Sequence, residues 1–200
     1  MIKKNNIFIV NGPIGAGKST FVKYLQNEVP GVFGYSYIKP VLHIVNKMGC
    51  TNPNTDEARI LITNVESAWT KYNTMLIDNL LSQIKHNIKI LSKANYHFIS
   101  IKRPNTIMAF KYFFPDAKTI LIERDGIIIN ADSADASIHS IKYDIVINNN
   151  GTLDDFHNTI DKFIGKNLNT IQRINKSVIK TTTNERKRRD EFGRFRRIGD

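Results

Sequence analysis

Cysteine is nearly missing from this chain: Cys50 is the single one in 200 residues. That excludes an internal disulfide, and no cluster of Cys and His has the spacing of a structural zinc site, so a reducing compartment fits. Long apolar runs are missing too. None approaches the ~20 residues that span a bilayer, so no membrane contact is expected. The opening MIKKNN leads straight into a core strand rather than a targeting segment, and the expectation is a cytoplasmic protein. No internal repeat is evident. The five histidines, His43, His86, His97, His139 and His157, have neither triad nor metal spacing and are assigned no chemistry. The length suits one ordinary domain, enough to bury ~70% of the unfolded chain's surface.

What is abundant is positive charge, and its placement matters. The net charge is +11, and residues 166–200 hold eleven Lys and Arg against four Asp and Glu, so +7 of it lies in that stretch. The rest of the chain carries +4, ordinary for a protein that handles anions. From about Asn169 the apolar spacing weakens. We therefore divide the chain into a folded domain over 1–168 and a basic, flexible tail over 169–200. The closing ERKRRDEFGRFRRIGD sets arginines around Phe192 and Phe195. Such a segment can bind nucleic acid through phosphates and base stacking, or simply stay solvated and disordered. Both readings stand at this point.

One stretch organises the domain. Ile7, Phe8, Ile9 and Val10 form an apolar run expected to be a strand buried on both faces. A glycine-rich loop follows, and Gly12, Gly17, Lys18 and Ser19 fit G-x-x-x-x-G-K-[ST], the phosphate-binding P-loop. Glycines let successive backbone N–H groups converge on phosphate oxygens where side chains would block them. We assign Gly12, Pro13, Ile14, Gly15, Ala16, Gly17, Lys18, Ser19 and Thr20 to nucleotide binding. Lys18 can reach the β- and γ-phosphates of ATP, and Ser19 can ligate Mg²⁺ through its hydroxyl. The following helix N-terminus favours the anion.

The remaining pattern alternates. Phe21, Val22, Leu25 and Val29 mark a helix ending before Pro30, and Val32 to Tyr35 a short second strand. Pro40 to Met48 reads as a helix with Val41, Leu42, Ile44 and Val45 inward. Asp56 is the expected cap of a long helical stretch from Leu61 to Ile88, with a break near Asn73. Strands follow at Tyr96 to Ile101, Thr119 to Glu123 and Asp144 to Asn148. A helix over Ile107 to Phe114 separates the first two, and small polar residues from Ala131 to Ser140, with the composition of a loop rather than core, precede the third. A closing helix carries Leu153, Phe156, Ile160, Phe163 and Ile164 on one face. The expected fold is α/β with three layers: a five-stranded parallel sheet flanked by helices, its ligands at the carboxyl ends of the strands. Lys102, Arg103 and Arg124 fall there.

Four stretches resemble a known group: GPIGAGKST at 12–20, YSYIKPVLHIVNKMG at 35–49, SIKRPN at 100–105 and YDIVINNNGTLDDF at 143–156. The chain resembles the nucleoside monophosphate kinases among P-loop proteins, and more narrowly the deoxynucleoside monophosphate kinases of phages and large DNA viruses. The last stretch matches that family's D-x-V-I-x-N-x-G-[ST]-L. The resemblance implies ATP-dependent phosphorylation of a nucleoside monophosphate, with Mg²⁺ bridging the donor's phosphates. A viral member would work in the host cytoplasm. It also implies catalytic roles for Lys18 and Arg124, and acceptor contacts from Lys39, Arg59, Lys102 and Arg103. One departure stands out. The family's Asp-x-Arg-x-Pro-Asn-Glu segment reads Ser100-Ile101-Lys102-Arg103-Pro104-Asn105-Thr106 here, without its acid.

Plain alternatives accompany these roles. Arg124 can sit in a surface ion pair with Glu123 or Asp125, and Lys39 and Arg59 can be ordinary solvated positions. Trp69 and Tyr72 can stack on a base or serve the core, with the core favoured. Glu66 and Asp78 can supply the missing acid, though a solvated helix face is the expectation. At the level of function, a catalytically degenerate nucleotide- or nucleic-acid-binding protein stays open. So does a kinase acting on a nucleoside or a polynucleotide end.

Overall fold

In the computed structural model the described residues are 6–90, 95–127 and 137–168. The basic tail from 169 and residues 131–136 of the polar stretch lie outside them. Among the described residues no helix is long and apolar enough to cross a membrane.

Five short strands form one parallel sheet: β1 (Asn6–Asn11), β2 (Val32–Ser36), β3 (Tyr96–Ser100), β4 (Lys118–Glu123) and β5 (Ile145–Asn148), in the order β2-β3-β1-β4-β5. The expected fold class is the observed one. β1 lies at the centre because its residues Ile7 to Asn11 are buried on both faces, as the unbroken apolar run requires. Its alternating side chains divide the core. Phe8 and Val10 face α1 (Lys18–Glu28) and α6 (Leu153–Asn167). Ile7 and Ile9 face α2 (Lys39–Lys47), α3 (Asp56–Tyr72), α4 (Met75–Ile90) and α5 (Pro104–Phe113).

Aromatic packing fixes α1 over the sheet. Phe8 and Phe98 stack with centroids 4.8 Å apart, and Phe21 and Phe163 meet at 5.2 Å, both edge-on to Phe98. The rings join β1, β3, α1 and α6, and such offset and edge contacts add stabilisation beyond burial alone. The helix that must present the phosphate loop is thereby held rigidly.

Several boundaries differ from expectation for physical reasons. Thr55, not Asp56, caps α3: its hydroxyl accepts from the Ala58 N–H at 3.2 Å, while Asp56 opens the helix. The fifth helix begins at Pro104, three residues early, because proline suits the first helical turn, where its missing N–H goes unused. Ile44 and Leu153 are exposed rather than inward, with Leu153 in the turn before α6 reaches the sheet at Phe156. Ile138, expected in a polar loop, is fully buried in a short 3₁₀ turn. The break at Asn73 is real: it terminates α3, and its side chain accepts from the Met75 N–H at 3.0 Å.

On the α4 side, His97 is fully buried, with Nδ1 3.0 Å from the Tyr35 hydroxyl, which accepts from Asn87 Nδ2 at 2.8 Å. Burial pushes the imidazole down to about 4, so it is neutral at pH 7. The unfolded chain binds this proton near pH 6.5 and the folded chain does not, so stability is full above pH 6.5 and falls as pH drops toward 4. Urea unfolding at pH 7 and pH 4.5 should show up to about 3 kcal/mol lost through this group. A His97→Gln variant should lose that part of the slope.

Candidate active site

The loop from Asn11 to Gly17 closes β1 onto α1 with geometry that requires its glycines. Gly12, Gly15 and Gly17 all have positive φ, at 146°, 84° and 103°. A Cβ at Gly12 would run into the Ile122 carbonyl oxygen of β4, and one at Gly17 would lie 2.5 Å from Asn149 Nδ2. Gly17 is the N-cap of α1, whose first turn carries no acid and starts with Lys18, Ser19 and Thr20. Lys18 Nζ donates to the Gly12 carbonyl and, at 2.7 Å, to that of Pro13, so its charge lies over the loop. Ile14 and Ala16 complete the turn, with Ala16 N–H donating to Pro13 O at 3.2 Å.

Two buried amides brace this loop. Asn149 Nδ2 donates to the Ala16 carbonyl at 2.8 Å, and its backbone N–H to Glu123 O at 2.8 Å. Asn11, fully buried, accepts the Gly12 N–H at 2.8 Å and donates to Lys102 O at 3.0 Å and to the Tyr143 hydroxyl at 2.8 Å. The Tyr143 hydroxyl donates to Ile138 O at 2.9 Å, and burial pushes its phenol up to about 12 despite the hydrogen bond from Asn11.

Several residues of the stretch at 143–156 have structural roles. Asp144 accepts from the Thr119 N–H at 2.7 Å and the Thr119 hydroxyl at 2.9 Å, stitching the start of β5 to β4. Partial burial raises its pKa. Those hydrogen bonds and the charges of Lys111 and Lys118 outweigh that, so the carboxyl lies below the usual range. Asn149 holds the phosphate loop, while Thr152 and Asp155 form a reciprocal capping box that starts α6.

Around the loop the sheet order gathers cations. Lys102 and Arg103 follow β3 on one side of β1, tied to it through Asn11, and Arg124 follows β4 on the other. Arg124 is exposed, and among the described residues it has no ion pair within 4.0 Å. Glu123 lies 4.0 Å from His139, and Asp125 is held by Asn150. Lys39 is exposed at the start of α2, beyond the carboxyl end of β2. Arg59 pairs with Asp56 on its own helix at 3.0 Å, with nothing tying it to the loop.

Glu66 departs most from expectation. It is not on a solvated face: it is 5% exposed, and its Oε1 lies 3.1 Å from Arg103 Nε. Its position follows Ala58 and Ile62 at four-residue steps along the buried stripe of α3, a spacing that signals burial. Asp78 is exposed, accepting from the Thr74 hydroxyl at 2.7 Å. Trp69 packs against the α2–α5 core, whereas Tyr72 is exposed. Asn11 and Tyr143 carry no local sequence signal of a role at the site; their roles come from contacts 91 and 132 residues apart in sequence.

A glycine loop that ends a central parallel strand and opens a helix, at the carboxyl edge of a five-stranded sheet, defines a P-loop NTPase fold. The chain belongs to the KAP family: the KAP family P-loop domain matches residues 2–190. No curated protein sequence matches it. Among solved structures, dephospho-CoA kinase from Campylobacter jejuni aligns at 19% identity over 86% of this chain and 100% of its own, with a TM-score of 0.51. A Janibacter sugar kinase aligns at 12% identity over 81% of this chain and 94% of its own, TM-score 0.47. Thymidylate kinase from Candida albicans gives 13%, 82%, 92% and 0.45 in the same order. The likeness to the Campylobacter enzyme is one of fold.

The brace itself is testable. Asn149→Ala leaves the Ala16 carbonyl without its buried donor and should cost about 1–3 kcal/mol in urea unfolding. An unchanged midpoint would mean the contact carries no net stability.

Proposed function

We propose that this protein is an ATP-dependent kinase that transfers the γ-phosphoryl group to a nucleoside or deoxynucleoside monophosphate. The observation that carries this reading is the gathering of Lys102, Arg103 and Arg124 at the sheet edge on either side of the glycine loop. Phosphoryl transfer asks little covalent chemistry of a protein. It asks for cations around the moving charge and a clamp on the acceptor.

In this reading the loop from Gly12 to Thr20 cradles the donor's phosphates through backbone N–H groups other than those of Gly12 and Ala16, which already donate to Asn11 Oδ1 and Pro13 O, Pro13 itself having none. Lys18, already over the loop, neutralises charge on the β- and γ-oxygens as the bond to the leaving phosphate breaks. Arg124 serves the same charge from the β4 side. Lys102 and Arg103 bind the acceptor's phosphate, with Lys39 and Arg59 as outer candidates. Ser19, exposed in the first turn of α1, would offer its hydroxyl to Mg²⁺, whose other oxygens would come from the bound nucleotide and water. Bound there, the ion would neutralise phosphate charge. Resemblance to the deoxynucleoside monophosphate kinases of phages and large DNA viruses supports the choice of acceptor.

A second reading has its own support. The matching family is described only as a P-loop domain, and Ser100 stands where the resembling kinases place an acid. Those facts support nucleotide hydrolysis, or nucleotide binding without a phosphoryl acceptor.

The two readings part in one assay. Purified protein with ATP and Mg²⁺ should form ADP only when a monophosphate from a panel of common NMPs and dNMPs is added. Lys18→Ala should lower that rate by about 10²-fold or more. ADP formation indifferent to every monophosphate would reject the kinase reading and leave the second.

A further inference from the structure

We propose that Glu66 is a positioning residue that holds the Arg103 guanidinium for the phosphate of an anionic acceptor. The proposal rests on the acceptor role given to Arg103 above. Glu66 is the one acidic residue in the core among the described residues, and its side chain is 7% exposed. It comes from α3, whereas Arg103 stands between β3 and α5, so the contact joins two elements that sequence separates by 37 residues.

The geometry divides the guanidinium. Glu66 takes Nε at 3.1 Å, and the two terminal nitrogens make no hydrogen bond to a described residue. A third of the Arg103 side chain is exposed, and its Nε edge is anchored. A planar guanidinium presents its donors in a fixed fork, so anchoring one edge sets the direction of the others. The backbone is anchored as well: Lys102 O, one peptide away, accepts from Asn11 at the root of the glycine loop. Arg103 is thus fixed from both ends relative to the phosphate loop.

Packing alone does not call for this pair. A buried ion pair is often no more stabilising than apolar residues of the same size, and the preceding buried positions of α3 are Ala58 and Ile62. An apolar residue at 66 would serve that stripe. A carboxylate there gains its use from what it does to Arg103.

The test measures Glu66→Leu and Glu66→Gln, each in wild-type and Arg103→Lys backgrounds, by steady-state kinetics with ATP and the best monophosphate of the panel. Thermal melts establish that each variant is folded. Loss of one charge-assisted hydrogen bond predicts that Glu66→Leu raises KM for the monophosphate about tenfold or more while KM for ATP is unchanged. Glu66→Gln, which keeps an acceptor oxygen, should recover part of the loss. In the Arg103→Lys background, Glu66→Leu should add little, because its effect runs through the guanidinium. Wild-type kinetics in Glu66→Leu, equal shifts of both KM values, or full additivity with Arg103→Lys would overturn the proposal. If wild-type protein shows no monophosphate-stimulated turnover, the kinase reading falls by itself, and calorimetric titration with the same monophosphates decides on Glu66. Binding weakened about tenfold in Glu66→Leu sustains the positioning role, and absence of binding ends it.

Discussion

A hydrogen bond between two residues 133 positions apart, Asn149 Nδ2 to Ala16 O, is the contact on which the site depends. A phosphate loop turns its N–H groups toward a ligand, which leaves its carbonyls facing the protein. The carbonyl of a fully buried Ala16 needs a donor, and burying it without one would cost more than the bond returns. The same amide crowds Gly17 so closely that a Cβ there would meet it at 2.5 Å. The glycine therefore satisfies two requirements at once: the backbone must turn with φ at 103°, and the asparagine must reach past it.

The support extends outward through polar contacts at the carboxyl edge of the sheet. Asn11 joins the root of the loop to Lys102 and Tyr143, and the next residue along, Arg103, is held by Glu66. From α6 to α3 the edge is thus tied by specific hydrogen bonds, while the interior is apolar and aromatic. Shape comes from the rings and aliphatic side chains. Direction comes from a few buried amides and one ion pair, which is the division of labour expected where a rigid fold must aim charged groups.

How much of this was legible in the chain varied with the range of the interaction. β1, the glycine loop and α1 were readable because each is a local pattern: an apolar run, a fixed glycine spacing, and Phe21, Val22 and Leu25 on one helix face. The five parallel strands followed from alternation. Local reading missed the Thr55 cap by one residue, because threonine and aspartate both suit that position and hydroxyl geometry decides between them. It misjudged Glu66 because charge suggested solvent, although the four-residue step from Ala58 and Ile62 pointed inward. Asn11 and Tyr143 were beyond it altogether. Nothing local to an asparagine tells which carbonyl, 91 residues away, its amide will meet.

The order of the strands has a consequence for how the molecule is made. β1 pairs with β3 and β4, so the first strand synthesised has no sheet partner until Tyr96 and then Lys118 have been added. The glycine loop waits longer still, because Asn149 comes 133 residues after Ala16. Chains grow N-terminus first at roughly 5–20 residues per second, so the earliest-made part of the active site stays unbraced for several seconds or more. During translation the glycine loop is therefore made before the strands and the asparagine that brace it, and is among the last parts of this domain to take its shape.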